Sequence, residues 1–358
     1  MKPSGRRALI MAGGTGGHIF PGLAVGEGLR AAGWDVAWMG APGGMESRLV
    51  PPQGYRMRWV DFGGVRGKGV ARLLRLPPQL LRALLQAARA LRDERPRVVL
   101  GMGGYITVPG GLLARLYGAR LVLHEQNAVA GMSNRFLARL ASRVLCAFPG
   151  ALPGAQWVGN PVRRAIRELA DPRQRYASRS GPLQLLVVGG SLGARALNEM
   201  LPRALALIEP PLRPRVVHQS GRGQLQALRE AYAAVAVEAD CREFIDDMAG
   251  AYAQADLVVC RAGASTVTEV ACAGVAALFV PFPYAVDDHQ SANARYLATP
   301  GAALLVQQSE LDAPGLADRL RGLRRESLCE MACKARELAR SDAVERIVAV
   351  CETLDSPT

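Results

Sequence analysis

One pattern occurs twice in this chain. Ile10-Met11-Ala12-Gly13-Gly14-Thr15-Gly16-Gly17 returns as Leu186-Val187-Val188-Gly189-Gly190-Ser191-Leu192-Gly193-Ala194. Each copy is an apolar run, a pair of glycines, a hydroxyl residue, a further glycine and then a helical pattern. Strand, glycine turn and helix together open a nucleotide-fold unit. A chain that starts this unit twice is expected to build two such domains, with their glycine loops facing each other across a cleft. At 358 residues the chain is also too long for one small core.

The rest of the pattern agrees. Short apolar runs at Val36–Met39, Met57–Val60, Val98–Gly101, Leu121–His124 and Val144–Ala147 alternate with helical stretches. After a turn at Gly159-Asn160-Pro161-Val162-Arg163 the alternation resumes. Its runs are Arg215–His218, Glu243–Ile245, Leu257–Cys260, Ala277–Val280 and Ala303–Val306. Such alternation specifies α/β domains with doubly wound parallel sheets. The expected domains are 1–161 and 162–342, with a terminal helix from 343 to 358 packing back on the first.

In parallel sheets the functional loops lie at the strand C-terminal ends. Gly13–Gly17 is one, but its spacing is not G-x-G-x-x-G, and no Gly-Lys-Ser/Thr follows it. The glycines still admit a ligand to the backbone. The following helix is expected from about Pro21 to Ala32, with His18 at the exit of the turn. There it is either a base facing a cleft or a helix-capping side chain. Gly101–Tyr105 and His124-Glu125-Gln126-Asn127 are two more loops of this kind.

The most specific stretch is Arg261 to Gln290. Small residues at the mouth of a helix let a diphosphate reach bare N–H groups, and the helix dipole favours it there. Glu269, about one turn in, can accept hydrogen bonds from both hydroxyls of a ribose. Gln290, arriving from the next strand end, can read sugar hydroxyls. Diphosphate, ribose and sugar describe a nucleotide-sugar. The plainer reading is a strand–loop–helix turn with Ser265 as N-cap.

Charge is one-sided. Residues 1–161 hold 21 basic against 7 acidic residues, and the remainder 23 against 24. Within the basic half, 63–97 joins a glycine-rich approach to a leucine-rich, arginine-spaced segment with nine basic and two acidic residues. Contact with an anionic membrane surface and a core-facing helix with a solvated face both fit it. No apolar run reaches about 18 residues, so no transmembrane helix is expected. The start of the chain does not read as a signal peptide. Seven scattered cysteines suit a reduced, cytosolic protein. Cys329 and Cys333 have no histidine nearby, and no Asp-x-Asp occurs, so no metal site and no cofactor are expected. All four histidines, His18, His124, His218 and His289, sit at the ends of predicted strands or in their loops, which makes cleft positions plausible.

Taken jointly these motifs, with Gly159–Arg163 and Phe244-Ile245-Asp246-Asp247-Met248, resemble the MurG family over nearly the whole chain. Its members are peripheral membrane N-acetylglucosaminyltransferases of peptidoglycan synthesis. The resemblance implies a GT-B fold of two Rossmann-like domains. It implies transfer from UDP-N-acetylglucosamine to the C4 hydroxyl of an undecaprenyl-diphosphate-linked muramoyl-pentapeptide, with inversion, at the cytoplasmic face of the cell inner membrane. It places Thr15, Gly16 and Gly17 near the donor sugar and diphosphate. It gives donor binding to Asn127, Arg163, Ser191, the backbone of Ile245, Ala264, Ser265, Thr266, Val267, Thr268, Glu269 and Gln290. His18 is the implied base, with Glu125 as rival or partner. Ala276 stands where a proline is common in the family.

Two other classes are weighed against this. A 2-epimerase acting on UDP-N-acetylglucosamine would share the fold and the donor. A nucleic-acid-binding role for the basic half lacks interleaved aromatics, at 5% of the chain, and any reader motif, so no nucleic-acid partner is expected.

Overall fold

Alternation along the first strand decides the layering. In β1 (Arg7–Met11) Ala8 and Ile10 pack to one side, and Leu9 and Met11 to the other. A strand apolar on both faces must be covered on both, which a parallel sheet with crossover helices achieves. The computed structural model describes residues 5–63 and 69–355. It divides into two compact units, one of the chain up to Val162 plus the segment from Arg340, the other of Arg163–Ala339.

In unit 1, β1 is followed by α1 (Gly16–Ala31), β2 (Asp35–Gly40), α2 (Glu46–Leu49), β3 (Arg56–Trp59) and α3 (Gly69–Glu94). Then come β4 (Val98–Gly101), α4 (Thr107–Leu113), β5 (Arg120–Glu125), α5 (Met132–Leu137), β6 (Arg143–Cys146) and β7 (Gln156–Trp157). The strands are parallel in the order β3-β2-β1-β4-β5-β6-β7. The order reverses between β1 and β4, and their loops are neighbours at that switch point.

In unit 2, α6 (Arg164–Arg167) and α7 (Pro172–Ala177) precede β8 (Gln184–Val188), α8 (Arg195–Ala206), β9 (Arg215–Gln219), α9 (Leu225–Ala233) and β10 (Asp240–Arg242). There follow α10 (Met248–Gln254), β11 (Leu257–Cys260), α11 (Ala264–Ala273), β12 (Ala276–Phe279), α12 (His289–Ala298), β13 (Leu304–Leu305), α13 (Ala313–Gly322) and α14 (Arg325–Glu337). The parallel order is β10-β9-β8-β11-β12-β13, with the switch between β8 and β11. The last helix, α15 (Ala343–Asp355), lies against α1 in unit 1. Ile347 and Cys351 enter the core there, and a Cβ on Gly28 would sit 2.6 Å from Val344.

Three local expectations are corrected. α1 begins at Gly16 rather than near Pro21, because the Thr15 carbonyl already accepts from His18 (3.1 Å) and Ile19 (3.2 Å). His18 therefore sits in the first helical turn, not in the loop before it. The strand expected at Glu243–Ile245 lies upstream at Asp240–Arg242, and Ile245 is in the loop that follows. The cap of α11 is Gly263, with Ser265 already inside the helix. The glycine approach at 64–68 and the side chains of Arg72 and Arg75 lie outside the described residues.

Candidate active site

Each unit carries its own cluster at the C-terminal ends of its strands. In unit 1 the loop after β1 is pinned from below by Glu46, which is fully buried. Its carboxylate accepts from Gly14 N (3.2 Å) and Ala41 N (2.9 Å), in a space open only because Gly13, Gly40 and Gly44 lack side chains. Thr15, Gly16 and Gly17 then open α1. No carbonyl of the helix can reach the Gly16 and Gly17 N–H groups, so they remain for an anion.

His18, half-buried, directs Nδ1 at Gln126 Oε1, 2.9 Å away. The loop after β4 seats the ring. A Cβ on Gly103 (φ 97°) would lie 2.8 Å from its Nδ1 and Cε1, and one on Gly104 (φ 87°) 2.7 Å from the Gly13 carbonyl. Glu125 is buried and committed: its oxygens accept from Asn127 N (2.9 Å), Asn127 Nδ2 (3.4 Å), Gly131 N (3.2 Å) and Asn134 Nδ2 (2.8 Å). It thus shapes the loop that presents Asn127.

The cleft position read for all four histidines fails for two of them. His124 and His218 are fully buried, and burial pulls their pKa values down to about 4 and about 3. Both lie within the last residues of strands, β5 and β9, and a place at a strand end does not say whether the ring points along the sheet edge or into the packing beneath it.

In unit 2 a pocket of about 740 Å³ opens over the ends of β8 and β11. Gly189, Gly190 and Gly193 form one wall, and Arg261, Thr266 and Gln290 another. The Gln290 oxygen accepts from Ala262 N (3.3 Å) and Phe282 N (2.9 Å), tying together the loops after β11 and β12. Its two amide N–H groups are then the end left for a ligand. Ser191 is exposed on the glycine loop.

One turn into α11, Glu269 meets Arg163 Nη2 (3.4 Å) and the Tyr252 hydroxyl (3.2 Å). Burial pushes the Glu269 pKa up, and both partners oppose that. The carboxylate keeps accepting capacity beyond these two bonds.

Not every expected donor residue turns its side chain to this site. Val267 is fully buried, and the Thr268 hydroxyl bonds back to the Ala264 carbonyl (2.9 Å). Successive helical residues rotate by about 100°, so a run of six cannot all face one ligand. The Ile245 N–H is given to Gln219 Oε1 (3.2 Å), which leaves the Ile245 carbonyl for recognition.

Sequence reading passed over Arg261, Tyr252 and Glu46 as individual site residues. Arg261 donates to the Val280 and Pro281 carbonyls (3.0 Å each) and to Gln308 Oε1 (2.7 Å), and its guanidinium lies over the Phe282 ring. It is a fixed cation at the pocket wall. Its place directly after β11 was the available signal. Tyr252 and Glu46 give none, since Tyr252 meets Glu269, and Glu46 meets the Gly13–Gly14 loop, only in the fold.

Residues 8–146 match the glycosyltransferase family 28 N-terminal domain, and residues 184–347 the family's C-terminal domain. The chain is 61% identical over 349 residues to the UDP-N-acetylglucosamine--N-acetylmuramyl-(pentapeptide) pyrophosphoryl-undecaprenol N-acetylglucosamine transferase of Ralstonia nicotianae, spanning 97% of this chain and 96% of that protein. The protein of the same description from Burkholderia multivorans is 59% identical over 358 residues, spanning 99% and 98%. The crystal structure of Acinetobacter baumannii MurG superposes with a TM-score of 0.86 at 44% identity, over 97% of this chain and 99% of that one. The calicheamicin glycosyltransferase CalG4, at 16% identity and a TM-score of 0.69 over 98% of each chain, shares the fold alone. The two parallel sheets are those of the GT-B fold, and the chain belongs to glycosyltransferase family 28 and, within it, to the MurG family of N-acetylglucosaminyltransferases.

Proposed function

We propose that the chain transfers N-acetylglucosamine from UDP-N-acetylglucosamine to the C4 hydroxyl of a muramoyl-pentapeptide carried on undecaprenyl diphosphate. The observation that carries this reading is the unit 2 pocket: a glycine wall, a helix mouth, a fixed guanidinium and Gln290 converge there, with Glu269 one turn beyond. The diphosphate takes the N–H groups at the start of α11 and the field of Arg261, as an anion at a helix N-terminus does. Glu269, oriented by Arg163 and Tyr252, accepts from the ribose hydroxyls. The Ile245 carbonyl accepts from the uracil N–H. Gln290 donates to sugar hydroxyls.

His18 removes the proton from the C4 hydroxyl through Nε2. The freed oxygen attacks the anomeric carbon as its bond to the diphosphate breaks, and UDP leaves with the bonding pair. Attack opposite the leaving group inverts the centre and gives the β linkage. Stabilising the departing diphosphate by preorganised N–H groups and a cation is the kind of contribution that often dominates catalysis. Glu125, with both oxygens occupied by its own loop, holds Asn127 in place and does not compete for the proton.

The acceptor side is expected to lean on lipid. Leu81 (60% exposed) and Leu85 (64%) stand on α3, and Leu116 (79%) on the turn packed beside it, with Arg82 among them. Apolar side chains flanked by basic ones suit the surface of an anionic leaflet. Among the described residues no helix is long and apolar enough to cross a membrane.

Incubation with UDP-N-acetylglucosamine, with and without acceptor in anionic vesicles, tests the reading. UDP release should require the acceptor. Isomerised donor without acceptor would identify an epimerase instead. Leu81→Glu with Leu85→Glu should weaken vesicle cosedimentation while leaving donor binding unchanged; undiminished cosedimentation moves the membrane contact elsewhere.

A further inference from the structure

A histidine acts as a base only through the ring nitrogen that carries no hydrogen, and the hydrogen bond of the other nitrogen decides which one that is. In unit 1 that bond is the end of an unbroken line of groups. The Gly159 carbonyl can only accept, so His124 Nε2, 2.8 Å away, carries a hydrogen. His124 is fully buried and its pKa is pulled down to about 4, so near neutral pH it holds that one hydrogen and shows a lone pair at Nδ1. One end of the Gln126 amide lies 3.1 Å from that lone pair and 3.2 Å from the His124 carbonyl. Both partners only accept, so this end is the NH₂. The oxygen is then the end 2.9 Å from His18 Nδ1. An amide oxygen only accepts, so the hydrogen of His18 sits on Nδ1 and the lone pair on Nε2.

We infer that His124 and Gln126 are positioning residues that relay the fixed polarity of the Gly159 carbonyl to His18 and hold it as the Nδ1–H tautomer, with Nε2 as the basic nitrogen. The inference rests on the reading of His18 as the base. The same bond also serves after the proton has moved. Once Nε2 is protonated, Nδ1–H still donates to Gln126, so the relay orients the ring as both base and conjugate acid without rearrangement. Gly103 completes the seat, since any side chain there would collide with the ring edge that bonds Gln126. Gln126 is itself buried, which keeps water from replacing it as the partner of Nδ1.

Ring nitrogen-15 signals of the full chain labelled in histidine distinguish the two tautomers and read this arrangement directly, with His18→Ala assigning the His18 signals. The wild type should show His18 protonated at Nδ1 and His124 protonated at Nε2. His18 protonated at Nε2 would overturn the inference, and this measurement needs no buried variant to fold. Gln126→Leu removes the acceptor. It should give mixed His18 tautomers and lower kcat at least roughly tenfold, out of the 10²–10⁴-fold a positioned base contributes. The donor KM should stay within about twofold. An unchanged kcat, or a lowered kcat with the wild-type tautomer intact, counts against the relay. Failure of the base reading would appear elsewhere: His18→Ala would retain most of its kcat while the ring signals still reported the tautomers.

Discussion

The two units contain the same device put to different ends. Each buries a neutral histidine below its glycine loop and links it to a side-chain amide. In unit 1 the line runs from the Gly159 carbonyl through His124 and Gln126 and ends on His18, a ring that can take up a proton. In unit 2 the Tyr232 hydroxyl donates to His218 Nδ1 (2.9 Å), and His218 Nε2 donates to Asn198 Oδ1 (3.1 Å). Asn198 donates to the Ser220 carbonyl and to Gln224 (3.0 Å each), and Gln224 donates to the Leu192 carbonyl (2.6 Å). That line ends on backbone. It holds the glycine loop rigid, so the loop can offer N–H groups without reorganising. One fold repeated thus ends one line on a side-chain ring and the other on backbone, and on the proposed reading the first moves a proton and the second holds an anion.

This division makes two substitutions move opposite kinetic parameters. His18→Ala should lower kcat by roughly 10²–10⁴ with the donor KM little changed, because the proposed base would act only in the transition state and belongs to unit 1. A loss under about threefold would remove His18 from the chemistry. Glu269→Ala should do the reverse. Hydrogen bonds to a half-buried carboxylate are worth about 1–3 kcal/mol each, so the donor KM should rise by roughly tenfold to a hundredfold while kcat at saturating donor falls less. If Glu269→Ala left KM unchanged, the ribose role would fail. If both variants moved the same parameter, the functional split between the units would be wrong.

What the sequence disclosed and what it hid follow from the range of the forces involved. Apolar alternation is local, so both parallel sheets and the repeated strand–glycine–helix unit could be read from the residues. The helix mouth at Arg261–Glu269 was also legible, because its small residues are contiguous. Facing was not: Val267 and Thr268 stand in the same run as Thr266 and Glu269, yet turn inward. The relay depends on residues 18, 124, 126 and 159 meeting in three dimensions, and no spacing records that. Nothing in the sequence marks Glu46, whose burial depends on Gly13, Gly40 and Gly44 closing around it. Burial likewise separated His124 and His218, which stand at the ends of strands β5 and β9, from His18, which follows a glycine loop.

The buried histidines also set a pH response that can be read in one unit at a time. An unfolded histidine titrates near 6.5, whereas His124 in the fold titrates at about 4. A depressed histidine pKa means that between those values the unfolded chain binds more protons than the folded one. Stability is therefore complete above about pH 6.5 and falls as the pH drops towards 4, by at most about 1.4 kcal/mol per pH unit for one such group. Below about 4 the folded ring protonates too, and the Gln126 bond to Nδ1 must break. All four tryptophans, Trp34, Trp38, Trp59 and Trp157, lie in unit 1, so fluorescence follows that unit alone. The fluorescence-detected urea midpoint should fall from pH 7 to 5.5, a range above ordinary carboxylate titration, and the fall should persist in His18→Ala because it belongs to the buried ring. Unit 2, whose His218 is pulled down to about 3, should show the same response over a wider window in the part of the circular-dichroism change that does not track the fluorescence. A pH-independent fluorescence midpoint would mean that His124 is not held neutral, and the relay in unit 1 would lose the fixed lone pair on which its direction depends.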